Sequence, residues 1–303
     1  MIRVMAGHLA ATFTYTATPV SSRHLSGTGN QLSDQKVYGC VNGGLSLMAI
    51  FAFVVYATPK RSDWEVMPTL TERRAQVCSP YSFKRSPYSS HSLLLKWFNR
   101  PGEGLRVLDV GCGEGYLAEA LAAQGYEVVC VDKHGCGPAR LSEHVQFLEL
   151  DLDEDVATLS GPFSFILSAD LLEHLRDPCK VLLGLRSLLA AGGRLVASLP
   201  NSGNFYFRWN VLLGRFPAHD RGLFDRTHLH FYTWAGWTDL FSRSGFRIES
   251  VEPTGIPVGL ALPRWDGTLP IRILERVFYN LARVWKTLFA YQFVVVARRE
   301  AIE

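Results

Sequence analysis

Three alternate glycines, Gly111, Gly113 and Gly115, follow directly on the apolar run Val107-Leu-Asp-Val110 and lead into a helical pattern from Tyr116. Glycine reaches backbone angles closed to other residues and presents no side chain to a ligand. A turn of this kind at the carboxyl end of a first strand lets a cofactor approach the main chain, where ligands sit in open α/β sheets. On their own the glycines also fit a tight strand-to-helix turn that binds nothing. Four acids share the setting. Asp109 precedes the turn, and Asp132, Asp151 and Asp170 each close a strand-like run. Asp132 stands about twenty residues beyond the turn, the position from which a carboxylate grips ribose hydroxyls. Any one of them also fits a helix cap, the commoner role of an aspartate after a strand. Three histidines offer bases with ordinary pKa values near neutrality. They are His174 in Glu173-His-Leu175, and His228 and His230 in Thr227-His-Leu-His-Phe-Tyr232.

The stretches that must position these residues begin at Ser86. Apolar strand-like runs alternate with helical ones: Arg106–Val110, Tyr116–Gln124, Glu127–Asp132, Val145–Leu150, Phe163–Ser168, Pro178–Ala190 and Gly193–Leu199. Such alternation predicts right-handed crossovers and a mostly parallel sheet with both faces covered. Phe246–Pro253 and Tyr291–Arg298 are two late strands that complete it. The expected fold is α/β: a doubly wound seven-stranded, mostly parallel sheet over residues 86–303, preceded by an N-terminal extension over 1–85. Two segments interrupt the pattern. Residues 201–233 follow the fifth strand and are long and aromatic, holding Phe205, Tyr206, Trp209 and the arginines 208, 215, 221 and 226. Residues 254–290 form a helical insertion. There Leu274, Phe278, Leu281, Trp285 and Leu288 fall at helix spacing across Pro270–Ala290, with Arg272, Arg276, Arg283 and Lys286 on the remaining surface. Either this helix packs on the sheet or, as a basic amphipathic helix, it rests on a membrane or covers the site.

A chain of 303 residues that is 48% apolar and 19% charged buries a core and does not resemble a disordered one. Its net charge of +3 gives no electrostatic footprint for nucleic acid, so none is expected as a partner. The cysteines form no CxxC pair, and only Cys136 has a histidine close by, His134, so no metal site is read from them. Cys112, Cys130 and Cys179 sit in apolar α/β runs as free thiols do in a reducing compartment, and the chain is expected in the cytoplasm. Residues 1–40 lack periodicity. Val41–Thr58 is uncharged, at the lower edge of the ~20 apolar residues that span a bilayer. Lys60 and Arg61 follow it and would set its C-terminal side in the cytoplasm. It reads as an anchor to the membrane's cytoplasmic face, as a helix packed on the domain, or as a stretch without structural role. A cleaved signal peptide would start nearer Met1 and carry a basic lead-in.

The segments VLDVGCGEG, VVCVDK, FLELDLDED, FSFILSADLLEHLRDP and LLAAGGRLVASLPN resemble, in that order and spacing, the class I S-adenosylmethionine-dependent methyltransferases. The resemblance covers residues 86–300 and is most specific as far as Asn201. It implies a Rossmann-like methyltransferase fold, S-adenosyl-L-methionine as cofactor, and methyl transfer to a small-molecule acceptor at oxygen. The GCGEG turn after LDV and the EHL segment after the fourth strand set it apart from a nicotinamide-binding oxidoreductase. By the same resemblance Asp109, Gly111, Cys112, Gly113 and Gly115 lie along the methionine part of the cofactor. Asp132 holds the ribose hydroxyls, Asp151 with Leu152 meets the adenine, and Ser168 to Asp170 line the floor beneath the methyl group. Lys133 and His134 flank the adenosine.

Transfer from a sulfonium depends on holding an acceptor in line at near-attack distance. An oxygen acceptor also needs a base for its proton, and His174 and His228 are the candidates. His174 equally fits a residue that only orients the start of a helix. The 201–233 segment is the expected acceptor lid, or else a helical cover with aromatics buried for packing. Within the family, EHL and GGRLVASLPN are similar to quinone-type O-methyltransferases. LDLDED and PNSGNFYFRWNVLLGRF are similar to MetW-type proteins of methionine biosynthesis, in which the fold serves alongside an acyltransferase. The latter leaves open a cofactor-binding partner protein with little activity of its own. The N-terminal extension and the late insertion depart from both groups, so neither substrate carries over.

Overall fold

The computed structural model describes residues 83–84, 86–133 and 141–300. The 41–58 segment, His134 and Cys136 lie outside the described residues. Among the described residues, no helix is long and apolar enough to cross a membrane.

The strands are β1 (Arg106–Val110), β2 (Glu127–Asp132), β3 (Val145–Glu149), β4 (Phe163–Ala169), β5 (Leu189–Pro200), β6 (Phe246–Pro253) and β7 (Gln292–Arg299). They form one seven-stranded sheet in the order β3-β2-β1-β4-β5-β7-β6. The strands β1 to β5 are parallel, and β7 runs antiparallel between β5 and β6. The seven-stranded, mostly parallel sheet expected from the sequence is therefore the one observed. The chain winds outwards from β1 through β2 to β3, then crosses back to lay β4 on the other side of β1. That reversal opens a crevice at the carboxyl ends of β1 and β4, the usual ligand position in such sheets.

The helices are α1 (Ser90–Leu95), α2 (Tyr116–Ala122), α3 (Leu152–Asp155), α4 (Pro178–Leu188), α5 (Phe205–Leu212), α6 (Trp234–Arg243), α7 (Val258–Ala261), α8 (Leu269–Val284) and α9 (Lys286–Phe289). Because side chains alternate along a strand, the central strands are apolar on both faces. One face seats Leu182, Leu185 and Leu188 of α4 and Trp237, Leu240 and Phe241 of α6 against Leu108, Val110 and Ile166. The other seats Leu93 and Leu94 of α1 and Leu117, Ala118 and Leu121 of α2 against Val107, Leu167 and Val196. Each such leucine contributes ~1.5–3 kcal/mol of apolar burial. Trp237 is fully buried and donates its indole N–H to the Pro200 carbonyl at 2.8 Å, pinning α6 to the end of β5.

Local chemistry sets most helix starts. The Asp177 side chain accepts from Lys180 N at 2.9 Å, with Pro178 in the first turn of α4. Asn204 caps α5 by accepting from Tyr206 N at 2.9 Å. Two elements differ from the sequence expectation. The helix expected over Pro178–Ala190 stops at Leu188, because Leu189 turns extended and pairs with Phe163 at the start of β5. The single helix expected over Pro270–Ala290 breaks at Trp285, whose backbone is at φ −139°, ψ 77°. Beyond the break the carbonyls of Thr287 and Ala290 accept from the Asn201 side-chain amide at 3.3 and 2.9 Å. Helix α8 buries Ile271, Phe278 and Ala282 while Leu269, Ile273 and Val284 stay exposed.

Candidate active site

The turn after β1 holds Gly111 at φ 71°, Gly113 at φ 52° and Gly115 at φ 73°, left-handed angles that favour glycine. A Cβ on Gly111 would also stand 2.8 Å from a Leu171 methyl. The loop is tied to β2 by Gly111 N and Cys112 N, which donate to the Val131 carbonyl at 2.8 and 3.2 Å. Asp132 completes the tie: one carboxylate oxygen accepts from Gly113 N at 2.7 Å and the other from Lys133 N at 2.8 Å. Burial pushes the Asp132 pKa up, against the pull of those two backbone bonds. Asp109 lies at the end of β1, 1% exposed, and its Oδ2 has no hydrogen-bond partner. Burial, and then the nearby Asp132 charge, push its pKa to about 7. The Cys112 thiol is pushed up by its contact with Cys130 and by burial, which makes it an inert group.

Asp151, after β3, accepts from Asp153 N at 3.0 Å and caps α3, and the Leu152 side chain is buried in the core. Ser168 on β4 pairs with Val110 of β1 and is fully buried, its Oγ without a partner. Asp170, two residues on, is the most heavily bonded acid of the site. Its backbone is left-handed at φ 52°. One carboxylate oxygen accepts from the Ser198 hydroxyl and from Gln292 Nε2 at 2.7 Å, and the other from Lys84 Nζ at 2.8 Å. Burial would raise the Asp170 pKa, but Lys84 and Ser198 hold it well below the usual carboxylate range.

Beyond Asp170 a 3-10 turn, Leu172–His174, presents Glu173 and His174. The 226–230 segment is strapped across it: Leu229 N and His230 N donate to the Glu173 carbonyl at 2.9 and 3.2 Å. His230 Nε2 reaches the Leu175 carbonyl at 3.0 Å. His228 is thereby brought edge-on to His174, ring centroids 4.8 Å apart, with Nε2 3.8 Å from Glu173 Oε1. Burial lowers the pKa of His174, and lowers that of His228 to about 4, while it drives that of Glu173 well up.

The rest of the 201–233 segment is a helix and a set of turns around stacked aromatics. Phe207 and Phe224 lie parallel at 4.5 Å, with Phe216 edge-on to both. Two of its arginines are spent internally: Arg208 donates to the Gly203 carbonyl at 2.6 Å and Arg226 pairs with Asp220 at 2.7 Å. Arg215 and Arg221 are exposed.

The carboxyl ends of adjacent strands thus gather Asp109, the glycine turn, Cys112, Asp132, Lys133, Ser168 and Asp170. Asp151 and Leu152 stand at the neighbouring end of β3, and His174 and His228 meet at the far side of Asp170. Sequence reasoning missed Lys84, Glu173 and Gln292. Lys84 lies two residues ahead of the boundary at Ser86, and Gln292 sits in a strand read only for its apolar pattern. Glu173 stood in the EHL segment, but its burial was not visible there.

A family model described as a methyltransferase domain matches residues 80–251, more than half of the chain. The chain belongs to that methyltransferase family. It is similar to the ubiquinone biosynthesis O-methyltransferase of Caulobacter sp. (strain K31), 34% identical over 108 residues, 33% of this chain and 43% of the relative. With the protein of the same description from Xylella fastidiosa (strain 9a5c) it shares 38% identity over 108 residues, 33% of this chain and 44% of the relative. The chain spans less than half the length of these relatives. A solved structure that it resembles is 1,6-didemethyltoxoflavin-N1-methyltransferase of Burkholderia thailandensis, at 18% identity and a TM-score of 0.47, covering 72% of this chain and 80% of that one.

Proposed function

We propose that this chain is an S-adenosylmethionine-dependent methyltransferase that moves a methyl group to an oxygen of a small-molecule acceptor. The observation that carries the proposal is the glycine turn locked to Asp132 through Gly113 N, at the point where the strand order reverses. The residues present suit the cofactor. Asp109 Oδ2 is a buried acid oxygen without a partner, which a cationic amine would satisfy. The turn beside it offers backbone with no side chain in the way, and Asp132 is a carboxylate at ribose distance along the fold. Gly111, Cys112, Gly113 and Gly115 with Asp109 would hold the methionine part, Asp132 the ribose, and Lys133, Asp151 and Leu152 the adenine end. Ser168 and Asp170 form the floor.

The bound cofactor supplies a methyl group already activated on a sulfonium. The chain has to orient both partners and exclude water. We assign His174 and His228 to the acceptor side, where an oxygen acceptor must shed a proton. The relatives named as ubiquinone biosynthesis O-methyltransferases support a ring-borne hydroxyl as the acceptor, and they favour an enzyme over a silent partner protein.

Calorimetry with S-adenosylhomocysteine, followed by a transfer assay on simple phenols and catechols, tests the reading. Saturable binding and methyl incorporation are expected. Absence of S-adenosylhomocysteine binding to the full-length protein would refute it.

A further inference from the structure

We propose that the outer face of α8, with the turn Pro263–Trp265 before it, docks on the surface of an anionic lipid bilayer, the helix lying flat in the plane of the interface. The proposal stands apart from the methyl-transfer reading and does not need it. Helix α8 runs for 16 residues, roughly 24 Å at the usual rise. Its inner side is already occupied. Ile271 and Phe278 form a buried cluster with Ile256 and Val258, against which Phe205 of α5 packs. Glu275 accepts from the Ser86 hydroxyl at 2.8 Å and from Gly259 N at 3.1 Å. Tyr279 stacks on Tyr88, ring centroids 4.7 Å apart. The helix is therefore seated in the domain, and the apolar residues on its other side are not a core stripe left without a place.

At about 100° per residue, Leu269, Arg272, Ile273, Arg276, Arg283 and Val284 fall on the side opposite Phe278, and all six are exposed. Trp265 stands four residues ahead of Leu269. Trp265, Leu269, Ile273 and Val284 are between 55% and 87% exposed. Single exposed apolar side chains are ordinary. Four along one helix and its leading turn, interleaved with arginines, match a helix that lies in a membrane interface. Tryptophan concentrates at that level of a bilayer.

Charge selects the occupant. Residues 254–290 carry Arg264, Arg272, Arg276, Arg283 and Lys286 against two acids, Asp266 and Glu275. Glu275 is buried, which leaves Asp266 as the exposed acid of the segment. The four arginines are exposed, and among the described residues none of them forms an ion pair. A second copy seated here by two-fold symmetry would set the same arginines against one another. An anionic leaflet attracts them and accepts the apolar side chains between them.

The test floats the full chain with vesicles of phosphatidylcholine alone, and of phosphatidylcholine with one quarter phosphatidylglycerol, and follows hydrogen exchange in α8. The protein should prefer the anionic vesicles and lose that preference in high salt, which screens surface charge. Exchange across residues 264–284 should slow when the vesicles are bound. Arg272→Gln combined with Arg276→Gln should weaken binding to the anionic vesicles roughly 25-fold, about fivefold for each charge. Leu269→Ser combined with Ile273→Ser should weaken it at least about tenfold, through lost apolar burial. Melting temperatures equal to that of the parent show that both double variants are folded. Exchange in α8 that ignores the vesicles would overturn the proposal even if the protein floats, because attachment would then lie in another segment such as 41–58. Affinity unchanged in both double variants would overturn it as well. So would a dimer in size-exclusion chromatography that Leu269→Ser with Ile273→Ser dissolves, which would give the face to a second copy.

Discussion

Lys84 and Asp170 are 86 positions apart in the chain and 2.8 Å apart in the fold. The pair joins the segment before α1 to the loop that follows β4. Asp170 has a depressed pKa, so its contribution is present above the ordinary value of 3.8 and fades as the pH falls towards the folded value. Lys84→Met should cost about 1.5–3 kcal/mol at neutral pH, the range for a hydrogen bond to a charged group. The deficit should shrink in acid, where Asp170 is protonated in the variant. Denaturant unfolding at several pH values measures this; equal stability at neutral pH would show that Ser198 and Gln292 suffice.

Asp132 connects the two halves of the proposed cofactor site. Removing it in Asp132→Ala strips Gly113 N of its acceptor and takes away the group assigned to the ribose. Affinity for S-adenosylhomocysteine should fall by about 1.5–3 kcal/mol. Because Gly113 sits at φ 52°, Gly113→Ala strains the same loop, and the two losses should combine less than additively. Calorimetry on the single and double variants decides, and full additivity would mean that the residues act separately.

Asp109 makes the fold sensitive to pH in the opposite sense. Its pKa is raised from 3.8 to about 7, so the folded chain prefers the neutral acid. The resulting cost is absent below 3.8, grows as the pH rises between the two values, and is complete above about 7. Asp109→Asn should therefore be more stable than the parent by about 2–4 kcal/mol in mild alkali and nearly equal to it in acid. Parallel unfolding curves across the whole range would show that Asp109 is already relieved by a partner.

His228→Ala should lower methyl transfer by roughly 10²–10⁴-fold, the usual loss when proton handling is removed. Affinity for S-adenosylhomocysteine should stay nearly unchanged, because His228 stands with Glu173 and His174 and not with the glycine turn. Turnover close to that of the parent would remove His228 from the acceptor side.

The first half of the sheet was legible because its signals are local. Val107 to Gly115 carries both its strand and its turn, and Glu127 to Asp132 is apolar up to its terminal acid. The misplaced boundaries were set by distant partners. Leu189 leaves its helix to pair with Phe163, and the break at Trp285 goes with carbonyls that meet Asn201 and Asn204. The same holds for the site. The place of Asp132 at the end of β2, beside the glycine turn, follows from local spacing, whereas Lys84 and Gln292 reach Asp170 only through tertiary structure. Glu173 and His228 are 55 positions apart and converge because main-chain bonds from Leu229 and His230 land on the Glu173 carbonyl.

The place of β7 between β5 and β6 has a consequence for the order in which the molecule can be assembled during synthesis. Until residues 292–299 leave the ribosome, the outer edge of β5 is unpaired and β6 has no neighbour to join. An open edge of that kind invites pairing with other chains. The same late residues finish the chemistry: Gln292 bonds Asp170, and the Tyr291 carbonyl accepts from Asn201 N at the root of the 201–233 segment. A nascent chain that stops short of Gln292 would carry the glycine turn, Asp132 and two of the side chains that hold Asp170, Lys84 and Ser198, yet lack the third. Such a chain would also lack the tie from Asn201 N to the Tyr291 carbonyl, so the root of the 201–233 segment is fixed only when the last strand arrives.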